Sequence, residues 1–226
     1  MTQSRFVHDK LPQEFYDAFN QFIFSSDYKV FNKLLSKQEF LHKTSKIPGA
    51  VIELGVFKGS GMAAWLKSLK YLGLNRKVYG FDIFDSKLLD SSISTADRKL
   101  MASLFSERGF EPKGYELVLD GMLKGMGFDN FELVSGNIFE TLPSFLNTNP
   151  GFRASLINFD MDTSEPTLFA LDQLWPRVVP GGILIFDEYA INEWTESDAV
   201  DEFIERFNLK LEFTNYDSPS AYIVKC

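Results

Sequence analysis

The chain predicts a doubly wound α/β domain, and three features of the sequence carry that expectation. Ala50-Val51-Ile52-Glu53-Leu54 is an apolar, β-branched run of strand length, followed by a loop holding Gly55, Gly59 and Gly61 and by an amphipathic helix from about Ser60. Similar short apolar runs recur at 77–82, 130–135, 154–159 and 183–186, alternating with helix-period stretches as in βαβ units. At the end of the chain, 209–214 and 221–225, separated by Asp217-Ser218-Pro219, read as a closing antiparallel hairpin.

In chain order, Phe15, Phe19, Phe22, Val30, Phe31, Leu34 and Leu35 recur at helical spacing, so residues 12–45 are expected to form two or three helices ahead of the sheet. Such helices could cover a sheet edge, gate a site or make a dimer contact. Helices are also expected over 62–71, from 94 or 95 to about 108, over 115–124, from Pro166, and over 199–208. Pro180-Gly181-Gly182 reads as a sharp turn into the 183–186 strand, and Gly136-Asn137 as a turn after the 130–135 strand. Residues 84–114 are too long for an ordinary connection, so they form a candidate lid or substrate-recognition insert. Its acids Asp85, Asp90 and Asp97 are expected on a solvated face.

With 226 residues and 45% hydrophobic content, the chain can fill one core, so residues 1–226 are expected to form a single domain with 1–46 as an N-terminal helical extension. Formal net charge is −8 and no Lys/Arg run exceeds a pair, which disfavours a basic face for nucleic acid or an anionic membrane. Cys226 is the one cysteine, so no internal disulfide or Cys-based metal site can form. The opening residues carry no apolar signal segment and no run reaches membrane-span length, so a cytoplasmic protein is expected. Phenylalanine is unusually common at 23 residues; most are expected in the core, while a share in loops could wall a pocket or a dimer surface.

Glu53, Asp82, Asp160 and Asp187 each terminate a predicted strand, and in a doubly wound sheet strand ends converge on the ligand. An acid at the end of strand 2, Asp82, can accept hydrogen bonds from both ribose hydroxyls of a nucleoside, or it can only cap a turn. If strands 4 and 5 are neighbours, Asp160 and Asp187 can share a cation, with Glu188 beside them. Oxygen donors suit Mg²⁺ or Ca²⁺, since His8 and His42 are the only histidines and both read as surface residues. Crowded acids call for a positive partner, a metal or a cationic ligand. No lysine or histidine stands near the Asp160 motif in the sequence to take a proton in place of a carboxylate.

These pieces together resemble the class I S-adenosylmethionine-dependent methyltransferases and, within them, the macrocin O-methyltransferase family of natural-product sugar O-methyltransferases. The matching stretches are Ile47 to Gly59, Asp82-Ile83-Phe84, Gly136-Asn137-Ile138-Phe139-Glu140-Thr141-Leu142-Pro143, Asp160-Met161-Asp162 with Glu165 and Thr167, Pro180 to Tyr189, and Ala199 to Phe203. The resemblance implies a Rossmann-like sheet of seven mostly parallel strands with an antiparallel last strand, S-adenosylmethionine over the glycine loop, and a divalent cation, usually Mg²⁺. Carried over by position, Glu53, Gly55, Gly59 and Ser60 belong to the cofactor loop, Asp82 to the ribose, Gly136 and Asn137 to the adenine side, and Asp160, Asp187 and Glu188 to the metal. Glu188 stands where the family more often has Asp, and Thr163-Ser164 where it has an aromatic pair.

The expected reaction is methyl transfer to a hydroxyl of a sugar or sugar-containing small molecule, with Asp162 or metal-bound Asp160 taking the proton. A homodimer or higher homo-oligomer fits the Phe-rich N-terminal helices. Two other readings stay open: a nicotinamide-dependent oxidoreductase, against which the glycine spacing speaks, and a non-catalytic binding subunit of the same fold.

Overall fold

The computed structural model describes residues 12–26, 28–84, 94–108 and 114–226, apart from the side chains of residues 96, 100, 104, 105, 107 and 108. Seven strands form one sheet: β1 (Ala50–Leu54), β2 (Val78–Asp82), β3 (Phe131–Ser135), β4 (Ala154–Phe159), β5 (Val178–Phe186), β6 (Glu212–Phe213) and β7 (Ala221–Val224). Their order is β3-β2-β1-β4-β5-β7-β6. β7 runs antiparallel between β5 and β6, while β1 to β5 are parallel, as the resemblance implied. The order reverses between β1 and β4, and that switch point is where an open α/β sheet leaves a crevice at its carboxyl edge.

Strand side chains alternate between two cores. Ile52, Leu54, Phe81, Ile157 and Phe159 face one layer, where helices α6 (Ile138–Thr148), α7 (Ser164–Leu174) and α8 (Glu196–Phe207) pack. Val51, Val78, Leu156, Ile183 and Ile185 face the other, with α2 (Lys29–Lys43), α3 (Ser60–Leu72) and α5 (Tyr115–Gly125). Every residue of β4 is buried, as expected of a central strand covered on both faces. Much of the phenylalanine is absorbed here: Phe145 meets Tyr79, Phe81 and Phe152 edge-on at 5.0 to 5.3 Å between ring centroids.

The two N-terminal helices differ in how they are held. α2 packs on α3, with Phe40 and Leu41 fully buried and the Phe40 ring 5.3 Å from that of Tyr222. α1 (Gln13–Ile23) buries none of its residues, and Phe15, Tyr16, Phe19 and Ile23 are exposed. No helix among the described residues is long and apolar enough to cross a membrane.

Three elements depart from expectation. α6 was not anticipated, because Pro143 interrupts its pattern; Asn137 caps it by accepting from the Phe139 N–H at 3.0 Å. β5 begins at Val178, and Pro180-Gly181-Gly182 is a bulge within it: the pairing steps from Ala154↔Val178 to Leu156↔Ile183. α8 begins three residues before 199, at Glu196, which matters for the site. Of the 84–114 insert, α4 (Thr95–Arg108) forms where a helix was expected, while Asp85 and Asp90 lie outside the described residues, as does His8.

Candidate active site

The crevice at the carboxyl edge is a cavity of about 740 Å³, a volume suited to a cofactor-sized ligand. Its floor is the loop after β1. Gly55 has φ +89°, and a Cβ there would lie 1.9 Å from the Asp160 carbonyl oxygen, so the β1 and β4 ends approach in a way only glycine permits. Asp82 holds the loop: its Oδ2 accepts from the Val56 and Phe57 N–H groups at 2.7 Å each, and its Oδ1 from the Phe84 N–H at 3.0 Å. Burial pushes the Asp82 carboxyl up, against the pull of those backbone donors. Asp82 is therefore a loop anchor that also lines the cavity.

Glu53, the penultimate residue of β1, is only 2% exposed and lies over the first turn of α3, where a Cβ on Gly61 would meet its Oε1 at 1.9 Å. Lys37 Nζ is 3.7 Å from that oxygen, and Oε2 has no hydrogen-bond partner among the described residues. Burial pushes the Glu53 carboxyl up to about 7, Lys37 pulling it down and Asp160 adding to the rise. Because the folded value lies above the ordinary 4.5, the stabilising contribution is complete below about pH 4.5 and is lost as pH rises through about 7. We expect the ligand-free protein to gain about 3 kcal/mol from this group between pH 8 and 4.5. Denaturant titrations across that range should show a shallower pH slope for Glu53→Gln, and an unchanged slope would place the proton elsewhere.

The acids after β4 and β5 converge as the strand ends predicted. Phe159 pairs with Phe186, and carboxylate oxygens of Asp160, Asp187 and Glu188 lie within 4.8 Å of one another. Burial and then Asp187 push the Asp160 carboxyl up to about 6, with Lys33 opposing. Asp162, at φ +66°, is held well above the carboxylate range by burial and then by Asp160, Glu188 and Asp187. Glu196, from the first turn of α8, is fully buried against this group: its Oε1 accepts the Glu188 N–H at 3.1 Å, and burial followed by Asp187 raises it well above its usual value.

Lysines reach this cluster from a helix far away in the sequence. Lys33 Nζ lies 2.6 Å from Asp187 Oδ2 and 3.1 Å from Asp160 Oδ2, and Lys29 Nζ lies 2.5 Å from Glu188 Oε1. Burial works against the Lys33 ammonium, but Asp160 and Asp187 outweigh it and raise its proton affinity. With Lys37 on Glu53, α2 presents lysines at 29, 33 and 37, a spacing of four that puts all three on one helix face. That spacing was visible in the sequence, but reading α2 only for its apolar positions passed over it.

A second correction concerns Asp97, which is 2% exposed instead of solvated. It accepts from Thr195 Oγ1 at 3.0 and 3.1 Å, and Thr195 Oγ1 accepts the Ser164 N–H at 2.9 Å, so α4 of the insert is fastened to the start of α7. Met101 of α4 and Trp194 line the cavity beside that fastening.

Of the residues singled out in the sequence, Glu53, Gly55, Ser60, Asp82, Gly136, Asn137, Asp160, Asp162 and Glu188 line this one cavity. Gly59 lies behind it as the α3 N-cap, with φ +86° against the Leu119 side chain, and Asp187 is 2% exposed beneath the acid cluster. Oxygen-only donors within reach of one another, with Glu188 Oε2 buried and without a hydrogen bond among the described residues, fit a hard divalent cation. The unpartnered Glu53 oxygen, the α3 N-terminus and Asp82 fit a polar, cationic nucleoside.

Comparison with known proteins gives the fold and the family. Over 179 residues the chain is 28% identical to the 8-demethyl-8-(2,3-dimethoxy-alpha-L-rhamnosyl)-tetracenomycin-C 4'-O-methyltransferase of Streptomyces olivaceus, covering 78% of this chain and 66% of that protein. The mycinamicin III 3''-O-methyltransferase of Micromonospora griseorubida is 27% identical over 180 residues, covering 78% and 68%. The chain thus spans about two thirds of the length of these curated relatives. The crystal structure of CalS11, a calicheamicin methyltransferase, superposes with TM-score 0.77 at 24% identity, covering 96% of this chain and 87% of that one. The O-methyltransferase NovP gives 0.67 at 22%, over 86% and 79%, and both likenesses speak to the fold. Residues 33–225 match the macrocin O-methyltransferase (TylF) family, and the chain belongs to it.

Proposed function

We propose that the protein is an S-adenosylmethionine-dependent O-methyltransferase that modifies a hydroxyl of a sugar or sugar-bearing small molecule with the help of a divalent cation. The observation that carries this reading is the single cavity, in which the β1 and β2 ends face a nucleoside-sized space and the β4 and β5 ends bring three carboxylates together beside it. Family membership and the sugar O-methyltransferase names of the curated relatives support the chemistry.

When bound, S-adenosylmethionine supplies a sulfonium methyl group open to in-line attack, and a divalent ion lowers the pKa of a hydroxyl it ligates. The residues of the chain do the rest. Glu53 and Asp82 would hold the nucleoside end, and Asn137, which caps α6 and lines the cavity, would stand on the adenine side. Asp160, Asp187 and Glu188 would hold the ion. Asp162 is the proton acceptor we assign: it lines the cavity and lies outside the three clustered donors. Asp160 is the other candidate. Met101, Phe139 and Trp194 add apolar surface to the cavity lining.

The test is incubation with methyl-labelled S-adenosylmethionine and a panel of rhamnosides, nucleotide-linked sugars and small phenols, read by mass spectrometry. A gain of one methyl group on a sugar, lost at least 100-fold in EDTA and restored by Mg²⁺, is the expected result. Full activity in EDTA would remove the cation from the reading. Binding of NADH in preference to S-adenosylhomocysteine would replace the methyltransferase with the oxidoreductase.

A further inference from the structure

The geometry points to Lys33, seconded by Lys29, as a built-in competitor for the cation site, so that a divalent ion and the inward position of the first turns of α2 exclude each other. This rests on the cation reading of Asp160, Asp187 and Glu188 given above.

Both cations need the same oxygens. Lys33 Nζ stands 2.6 Å from Asp187 Oδ2 and 3.1 Å from Asp160 Oδ2, and Lys29 Nζ 2.5 Å from Glu188 Oε1, while the donor atoms that would share an ion lie within 4.8 Å of one another. An ion drawing in all three carboxylates at about 2.0 to 2.6 Å would face two ammonium groups at short range, and like charges so close repel strongly. The exchange conserves charge, because two ammonium groups leave the cluster as one divalent ion enters. Without that balance the move would leave buried carboxylates unpaired.

α2 is built to permit this movement. Its second half is anchored by Phe40 and Leu41, both fully buried, whereas Val30 and Leu34 in its first half are 52% and 44% exposed, and its N-cap residue Tyr28 makes no side-chain capping bond. The early turns can therefore swing about the anchored end with little loss of packing. Lys29, Val30, Lys33 and Leu34 all line the cavity, so the same swing widens the entrance used by the acceptor. Cation binding and acceptor admission become one event.

The test is titration of the full chain with Mn²⁺, followed by the electron paramagnetic resonance signal of the free ion. Lys33→Met is expected to tighten Mn²⁺ binding at least tenfold and Lys29→Met less. Lys37→Met, whose partner is Glu53, should change it less than threefold. Equal tightening by Lys37→Met would reduce the effect to general electrostatics and overturn the proposal. In the parent protein, Mn²⁺ should speed amide hydrogen exchange over 29–35 and leave 40–43 unchanged; greater protection over 29–35 would also overturn it. Parent binding that is abolished by Asp187→Asn but unchanged or weakened by Lys33→Met sinks the competitor alone. Absence of Mn²⁺ binding in parent and Lys33→Met alike sinks the cation reading with it.

Discussion

Asp187→Asn is expected to lower kcat/KM by a factor on the order of 10³ while S-adenosylhomocysteine binding stays within about threefold of the parent. Asp187 is 2% exposed at the end of β5, its carboxylate shared between the acid cluster and Lys33. The amide fills the same volume, so no void opens in the surrounding packing. What disappears is the negative charge a cation needs, and that loss falls on the acceptor side of the cavity. The fold should survive, because Asp187 is among the groups that push Asp160, Asp162 and Glu196 up, and its neutralisation relieves that crowding. Lys33 keeps Asp160 as its partner. Steady-state kinetics with calorimetric titration of S-adenosylhomocysteine separates the two sides; activity within tenfold of the parent would show that the cluster is structural.

Gly55→Ala should be the most damaging change in the nucleotide half of the cavity, costing about 3 kcal/mol or more in stability and abolishing S-adenosylhomocysteine binding. Two penalties coincide there. The backbone sits at φ +89°, and the added Cβ would lie 1.9 Å from the Asp160 carbonyl oxygen, a main-chain atom fixed by the Asp160 N–H bond to Leu54 O at 2.8 Å. Relief requires the β1 and β4 ends to part, which dismantles the switch point. Gly61→Ala is the informative contrast, since its Cβ would also fall at 1.9 Å, but from the end of the flexible Glu53 side chain. That variant should melt within a few degrees of the parent and lose cofactor affinity as Glu53 is displaced. Thermal melts of both proteins, with and without S-adenosylhomocysteine, decide the matter; equal melting temperatures for the two would refute the backbone argument.

The contrast between these glycines shows what could be read from residue order and what could not. The strand ends were legible because each is a local pattern, an apolar run closed by an acid, and topology then carries Glu53, Asp82, Asp160 and Asp187 to one edge. The neutralising lysines were not legible in the same way: Lys33 and Lys29 meet acids 127 and 159 positions further along the chain, and only the packing of α2 on α3 sets which way they face. Asp97 misled because an acid in a polar stretch looks solvated until Thr195 is brought against it. α6 was hidden by Pro143, although Asn137 followed three residues later by Glu140 is a helix-start signature. The β5 bulge was hidden because Pro180-Gly181-Gly182 has the composition of a turn.

The antiparallel course of β7 has a practical corollary. Ala221 lies beside Phe186 at the catalytic rim and Val224 beside Ile183, so the exposed thiol of Cys226 emerges near Gly181, about 20 Å down the sheet from the carboxylates. A maleimide dye or a gold surface attached there would leave the cavity mouth pointing away from the attachment, which makes this sulfur a ready handle for watching ligand entry one molecule at a time.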